Sequence, residues 1–248
     1  MKHFSFAALA ILVLLCVWAS PATASVIVNG TRVVFNAAQG EATVRLTNNN
    51  DHPALVEAWI DAGNFNSTPD TAKTPFLITP PLFRMDAHKD QSLRILYVPG
   101  AKALPTDRES VFYLNVLEIP PKPTGPEFAG KNYLQFAIRT RIKLFYRPAN
   151  LPGDVLKAPN QLTFKAAAGA GAAIEVHNPT PYYITIDALA LGSDAKPNTD
   201  NHGMVAPFGD LKLTLKGIAH APAAGRSITF STINDYGATD RHKGVIAQ

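Results

Sequence analysis

The chain has 248 residues, 23 of them Lys or Arg and 19 Asp or Glu, which gives a formal net charge of +4. This small, well-mixed charge excludes the basic footprint of a nucleic-acid-binding protein, so we expect no nucleic-acid partner. The single cysteine, Cys16, lies in an apolar N-terminal segment, so the chain beyond that segment has neither a disulfide nor a thiol nucleophile.

Residues 1–24 have the features of a secretory signal peptide. Lys2 supplies the positive charge, and residues 6–17 form an uncharged apolar run that is short for a membrane helix of about 20 residues. A small-residue cleavage signal of the A-x-A kind ends at Ala24. We therefore expect signal cleavage there and a mature chain that begins at Ser25.

Beyond this segment, short stretches of alternating apolar and polar residues are separated by turn residues, a pattern typical of an all-β sandwich. Asn29 and Gly30 predict a turn or bulge within the first stretch, and Trp59 is predicted to be a core residue. In the first half of the chain the predicted strands lie within 25–35, 42–46, 55–60, 92–98 and 111–119.

The most regular alternation runs through residues 133–148. Every even position from Leu134 to Tyr146 is apolar or threonine, whereas the odd positions are mostly polar or basic. Such alternation predicts one unusually long strand with a packed apolar face and a wet cationic face, which makes it a candidate docking surface. Pro148 cannot donate to a ladder and should end the strand.

A cluster of prolines near residues 148–158, where the alternation stops, predicts a domain boundary. We expect two β-sandwich domains, 25–149 and 152–248, joined by a stiff linker that fixes an angle and leaves a cleft between them. Residues 165–173 predict a hairpin turn, and the sequence after Gly237 gives no clear signal. The second domain's predicted strands lie within 161–165, 173–178, 182–191, 211–215 and 225–234.

Motifs for catalysis and metal binding are missing from the sequence. No two histidines outside the signal segment lie within four residues of each other, and there is no HExxH pattern. A G-x-S-x-G elbow and a P-loop are also absent. We therefore expect a protein that is not an enzyme and that uses no metal or cofactor.

Several short motifs occur in an order that resembles one known family. They cover nearly all of residues 25–248 and resemble the periplasmic pilus chaperones of the chaperone–usher pathway, the PapD-like family. That family's fold is all-β, with two immunoglobulin-like sandwiches at an angle and a cleft between them. The motifs are TRVVF at 31–35, EAWI at 57–60, TPP at 79–81, DRES at 107–110, FYLN at 112–115, EIPP at 118–121, IKLFYRP at 142–148, NPTPYY at 178–183 and INDYG at 233–237.

The resemblance implies a periplasmic chaperone that binds, folds and caps pilus subunits and delivers them to an outer-membrane usher. The client is an incomplete immunoglobulin-like fold that lacks one strand, and the chaperone lends a strand of its own, which is donor-strand complementation. Leu134, Phe136 and Ile138 match the family's donor residues, and Thr140 fits less well as a fourth. On periodicity alone, this row would pack into the protein's own core.

The resemblance also implies two charged sites. Arg32 and Lys143 match the cations that bind the C-terminal carboxylate of the client, where charge-assisted hydrogen bonds set the register of the added strand. Glu109, Arg147 and Asp235 match a charged network between the domains, for which we expect a structural role.

Further expectations concern the neighbourhood of this strand. Arg139 and Arg141 share the side of Lys143 and are predicted to be rim charges. The loop at 120–133 is somewhat long, but the missing disulfide favours the short-loop, rod-pilus subfamily. An exposed strand edge also predicts a self-capping homodimer of the free protein.

Two other readings of the sequence compete with the chaperone. The first is a secreted immunoglobulin-like pilus subunit or adhesin, but subunits tend to be single incomplete domains with a disulfide and an N-terminal donor extension. The second is a secreted sandwich-fold enzyme, for which the sequence offers no catalytic constellation.

Overall fold

The structure is a computed structural model that describes residues 25–100, 103–128, 130–167, 172–197, 200–216, 218 and 220–248. The predicted signal peptide, 1–24, lies outside the described residues. No helix in the described ranges is long and apolar enough to cross a membrane. Two short 3-10 helices, Pro126–Phe128 and Ala158–Gln161, accompany the strands.

The first domain packs two sheets face to face around one apolar core. One sheet has the strand order β1-β3-β7-β5 and the other β2-β9-β8-β4-β6. Phe35, Leu46, Val56, Leu93 and Leu144 are fully buried between them. The strands are β1 (Val26–Val28), β2 (Arg32–Asn36), β3 (Glu41–Asn48), β4 (Ala54–Asp61), β5 (Phe76–Thr79), β6 (Leu82–Met85), β7 (Asp90–Tyr97), β8 (Ser110–Ile119) and β9 (Ile138–Arg147).

The first predicted strand is broken in two at the predicted Asn29-Gly30 turn. β1 pairs antiparallel with β3 in one sheet, whereas β2 pairs parallel with β9 in the other. Gly30 has φ +125°, a conformation that L side chains rarely adopt, and this lets the chain cross between the sheets. The crossing brings β2 beside the C-terminal half of β9.

The second domain forms one seven-stranded sheet that folds over its own core, with the order β13-β12-β15-β16-β10-β11-β14. Most of β16 pairs antiparallel with β15, but its end at Ile246 pairs parallel with β10, so this strand joins the two layers. Phe164, Ile174, Ile186 and Phe230 lie in the core. The strands are β10 (Thr163–Ala167), β11 (Ala173–His177), β12 (Ile184–Leu191), β13 (Gly203–Val205), β14 (Asp210–Thr214), β15 (Ser227–Ile233) and β16 (Thr239–Ala247).

The two-sandwich prediction is confirmed, but several elements differ from it. β10 and β11 pair antiparallel on either side of the predicted hairpin turn, of which residues 168–171 lie outside the described part. β5, β6 and β13 have three or four residues each and were not predicted. β16 was also missed, because its side chains are mostly exposed and polar and only Ile246 is buried.

The long strand predicted over residues 133–148 is shorter than expected. β9 begins at Ile138, and residues 133–137 belong to no described strand. Its odd face is not a wet surface either: Phe145 is buried against Tyr183 of the second domain, with ring centroids 5.9 Å apart. The part of this face from Lys143 to Arg147 therefore lies at the interdomain cleft.

Candidate functional site

The apolar row on the even side of β9 extends beyond the sandwich that buries it. Leu144 and Tyr146 are buried in the core of the first domain, where they are 0% and 8% exposed. Ile138, on the same side of β9, is 50% exposed, and Phe136 and Leu134, which precede the strand, are 68% and 78% exposed. The protein therefore presents three large apolar side chains to solvent. Periodicity alone had indicated that they would pack in the protein's own core.

One backbone edge of β9 is also open at its N-terminal end. β8 pairs with β9 over residues 138–146, whereas β2 pairs with it only from Lys143 to Arg147. Within the described residues, nothing pairs with the β2 side of β9 over residues 138–142. An open edge of this kind can accept another extended chain.

Arg32 and Lys143 lie side by side where this open edge ends. The two residues are direct partners in the parallel β2–β9 ladder. The second domain holds both cations: Lys143 Nζ donates to Thr185 Oγ1 at 3.2 Å, and an Arg32 Nη atom donates to the Ile233 carbonyl oxygen at 2.8 Å. The two predicted anchor residues are thus brought together in the cleft between the domains.

These two cations lack an anionic partner in the described part of the chain. Arg32 Nε is buried and makes no hydrogen bond. Burial lowers the pKa of Arg32 more than the nearby charge of Asp235 raises it. Burial and, secondarily, the charge of Arg32 lower the pKa of Lys143. Two partly desolvated cations with a free N–H donor form an arrangement that a carboxylate can complete.

Arg147, four residues after Lys143, has the opposite situation because two carboxylates surround it. Its Nε donates to Glu109 at 2.6 Å, and its two Nη atoms donate to Asp235 at 2.7 and 3.0 Å. Glu109 is 3% exposed and also accepts the Tyr183 backbone N–H at 2.7 Å. Burial lowers the pKa of Arg147, but the hydrogen bonds to Asp235 and the charge of Glu109 outweigh it and raise that pKa overall.

This network joins the two domains through side chains from both. Glu109 directly precedes β8 and Arg147 ends β9, whereas Asp235 lies in the turn between β15 and β16. The Glu109 backbone N–H also donates to the Pro181 carbonyl oxygen of the second domain at 2.9 Å. The structure thus brings the three predicted network residues together at the interface.

A buried ion pair on the same sheet was missed by the sequence analysis. Arg141 donates twice to Asp61, at 2.8 and 2.6 Å, and its guanidinium lies 3.6 Å from the centre of the Tyr113 ring. Asp61 is 1% exposed and also accepts Asn115 Nδ2 at 2.8 Å. Burial alone raises the pKa of Asp61, but the bonds from Arg141 and Asn115 lower it overall. Arg141 is therefore not the rim charge that was predicted.

Trp59 is buried, as predicted, but lies outside the hydrophobic core clusters. Its Nε1 donates to Ser67 Oγ at 3.2 Å, in the segment between β4 and β5 that covers the outer face of the sheet. Arg139 donates to the Phe65 carbonyl oxygen at 2.6 Å and stacks on the Phe65 ring at 4.4 Å. Arg139 therefore contributes to covering Trp59.

The described residues contain no group of three or more His, Cys, Asp or Glu side chains that could hold a metal ion. The site consists of an exposed apolar row, an open strand edge and a pair of cations without a counter-ion. Together these features can bind an extended chain through its backbone, its alternate side chains and a terminal carboxylate.

Comparisons with known proteins identify the family of this chain. The family description "Pili and flagellar-assembly chaperone, PapD N-terminal domain" matches residues 25–152, and "Pili assembly chaperone PapD, C-terminal domain" matches residues 157–244. The chaperone protein FimB/FhaD of Bordetella pertussis is 44% identical over 231 residues, which are 92% of this chain and 91% of that protein.

Solved structures lead to the same family. The Pseudomonas aeruginosa CupB2 chaperone has a TM-score of 0.73 at 35% identity, covering 89% of this chain and 100% of that one. A chain from the complex of the Salmonella enterica SafA pilin with the SafB chaperone has a TM-score of 0.74 at 28% identity, covering 92% and 99%. The present chain therefore belongs to the PapD-like family of pili assembly chaperones and is a chaperone of pilus assembly.

Proposed function

We propose that the protein caps pilus subunits in the periplasm by donor-strand complementation, with residues 134–138 as the donor segment. The observation that carries this proposal is the exposure of Leu134, Phe136 and Ile138, which continue the alternate apolar positions that include the buried Leu144. A client that lacks one strand has a groove that these side chains can fill. Full burial of each one contributes roughly 1.5–3 kcal/mol.

The pair of cations sets the direction in which the client strand lies. A client C-terminal carboxylate bound by Arg32 and Lys143 sits where β2 begins to pair with β9. The preceding client residues can then pair only with the open edge at 138–142, and they run parallel to β9, as β2 does. The carboxylate thus fixes the register, so that alternate client positions align with the donor residues.

Other parts of this function rest on family membership. Delivery of the capped subunit to an outer-membrane usher is proposed as the next step, and cleavage after Ala24 as the route to the periplasm. The exposed apolar row and the open edge support a self-capping homodimer when no client is present. The chain without Cys16 has no cysteine, which supports the short-loop, rod-pilus subfamily.

Capture of a pilus subunit tests the donor segment. Tagged wild-type protein is expressed in the periplasm with a pilus subunit of the same host, and the co-purified subunit is quantified by mass spectrometry. Phe136→Asp places a charge in the apolar row and is expected to abolish capture. Ala137→Asp places the same charge at the next position, which is not part of the apolar row, and should leave capture near the wild-type level.

Equal losses in the two variants would contradict the donor role, because the apolar row would then be no more sensitive than its neighbour. Capture that survives Phe136→Asp would contradict it as well. Circular dichroism of both purified variants establishes that the sandwich has folded, since both residues are exposed in the free protein.

A further inference from the structure

Glu118 is a buried carboxylate at one end of the first sandwich. It is 6% exposed and lies on the same side of β8 as the core residues Leu114 and Val116. It also lies directly opposite Ile138 in the β8–β9 ladder. Glu118 therefore stands where the apolar row of β9 leaves the protein's own core.

The partners that Glu118 has in the structure are all neutral donors. One carboxylate oxygen, Oε2, accepts the Ser25 hydroxyl and the Val26 backbone N–H, the latter at 2.8 Å. The other, Oε1, accepts Asn50 Nδ2 at 2.8 Å, and Asn50 is held in turn by Asn48 Oδ1 at 2.9 Å. No Lys, Arg or His side chain in the described ranges forms an ion pair with Glu118.

A buried carboxylate without a cation is costly even when it is hydrogen-bonded, because neutral donors replace only part of its hydration. The fold nevertheless provides a prepared cradle for it, built from β1, β8 and the turn after β3. A buried carboxylate that is held in place by neutral donors indicates a binding site for a cation.

Ser25 is the residue that can provide this cation. Its side-chain oxygen and the following amide N–H both reach Oε2, so the Ser25 backbone wraps around that oxygen. The nitrogen of Ser25 is bonded to the same Cα that carries both of these branches. A positive charge on this nitrogen is therefore within reach of the carboxylate.

We propose that Glu118, oriented by Asn50, is a binding site for the α-ammonium group that the proposed signal cleavage creates on Ser25. Water hydrolyses the Ala24–Ser25 peptide bond, the carboxylate leaves with Ala24, and the freed amine of Ser25 takes up a proton. The precursor has a neutral amide at this point, whereas the mature chain completes a buried ion pair. Processing thereby strengthens the end of the sandwich from which the donor segment emerges.

A four-protein comparison tests the site with mature, full-length chain. Wild type and Glu118→Gln are each prepared with a free Ser25 amine and with an enzymatically acetylated one, which removes the charge. In wild type, acetylation is expected to lower the Tm by about 2–4 °C. In Glu118→Gln, the same acetylation should leave the Tm nearly unchanged, because there is no carboxylate to pair with.

A second measurement uses wild type alone, in case Glu118→Gln does not fold. Trace labelling with acetic anhydride at neutral pH should modify the Ser25 amine at least about ten-fold more slowly in the native chain than in the urea-unfolded chain, since an ion pair worth one pKa unit reduces the free amine by that factor. Equal labelling rates, equal Tm losses in both backgrounds, or a periplasmic N-terminus other than Ser25 would each overturn the proposal.

Discussion

Two clusters of charged residues include cations of β9 that are four residues apart. One contains Arg147, and the other contains Lys143 together with Arg32 of β2. They differ in whether carboxylates of the protein pair with the cations. Arg147 is enclosed by Glu109 and Asp235 from both domains. Arg32 and Lys143 are bound only by a hydroxyl and a carbonyl oxygen, and one buried N–H of Arg32 has no acceptor in the described structure. Carboxylates pair with the first cluster in the described structure, whereas none forms an ion pair with the second, which we expect an anion to complete.

The difference shows how one cleft can serve stability and binding with the same residue types. We expect the closed charge network at the domain junction to restrain the relative position of the domains. We expect the open pair of cations to lower the stability of the free protein, because both charges are partly desolvated and only Arg32 is partly compensated, by the nearby charge of Asp235. We expect that unfavourable free energy to be relieved, and so to favour binding, when a carboxylate enters the cleft.

The largest effect is expected from Arg147→Ala, which breaks the closed cluster. The substitution leaves the carboxylate of Glu109, 3% exposed, in the interface without its cation. The free energy of unfolding in urea should fall by roughly 3–5 kcal/mol. Small-angle scattering should show a changed domain arrangement.

Arg84→Ala is the matched control, because Arg84 pairs with Asp86 on the exposed surface of the first domain. It should leave both the unfolding curve and the scattering curve as they are. Arg147→Ala with wild-type stability and wild-type scattering would show that the network does not hold the domains together.

An intermediate effect is expected from Lys143→Ala, which alters the open cluster. Affinity for a pilus subunit should fall about 10- to 100-fold, the value of a hydrogen bond to a charged group. Stability should stay the same or rise, because a desolvated cation without a counter-ion is removed. Binding is measured by calorimetry and stability by urea unfolding.

A subunit with an amidated C-terminus completes a double-mutant cycle for this prediction. Amidation should weaken binding to wild type at least as much, because it also removes the contact with Arg32, and it should weaken binding to Lys143→Ala by a smaller factor than binding to wild type. Independent, fully additive losses would argue against contact between Lys143 and the terminal carboxylate.

The smallest effect is expected from a change of pH. Burial lowers the pKa of Lys143 in the free protein, and a bound carboxylate should raise it again. The affinity contribution is therefore fully present below the free-state pKa and is lost as pH rises from that value towards the pKa in the complex. Calorimetry from about pH 7 to about pH 10 should show affinity declining in wild type but staying nearly constant in Lys143→Ala. A constant affinity in both proteins would place Lys143 outside the binding site.

Much of the fold was predictable because strand periodicity is a local property. The alternation around Leu144 and Tyr146 indicated a strand with one buried side, and β9 has that buried side. The short strands β5 and β13 were missed because a strand of so few residues is too short to show clear periodicity. β16 was missed because an exposed strand with a single buried side chain resembles a polar tail.

Charged partners were harder to predict than strands. The Arg32–Lys143 pair and the Arg147 network came from the resemblance to a family, and their proposed roles in binding and domain arrangement stay predictions. The pair of Arg141 with Asp61 joins residues 80 positions apart, and only the ladder order of β4, β8 and β9 brings them together. The one local signal that could have indicated this ion pair is Asp61 itself, a charged residue at the end of a largely apolar strand.

The sequence by itself determined the strand class, the two sandwiches and the side of β9 that each residue occupies, because these follow from alternation along the chain. Only the tertiary structure decided that the apolar row is buried at Leu144 and exposed at Phe136, since this depends on where the opposing sheet ends. It also decided that Arg147 has carboxylates around it and Lys143 has none in the described part. Which residue neutralises a charge depends on residues distant in sequence that the fold brings near. No local sequence pattern therefore predicts these partners.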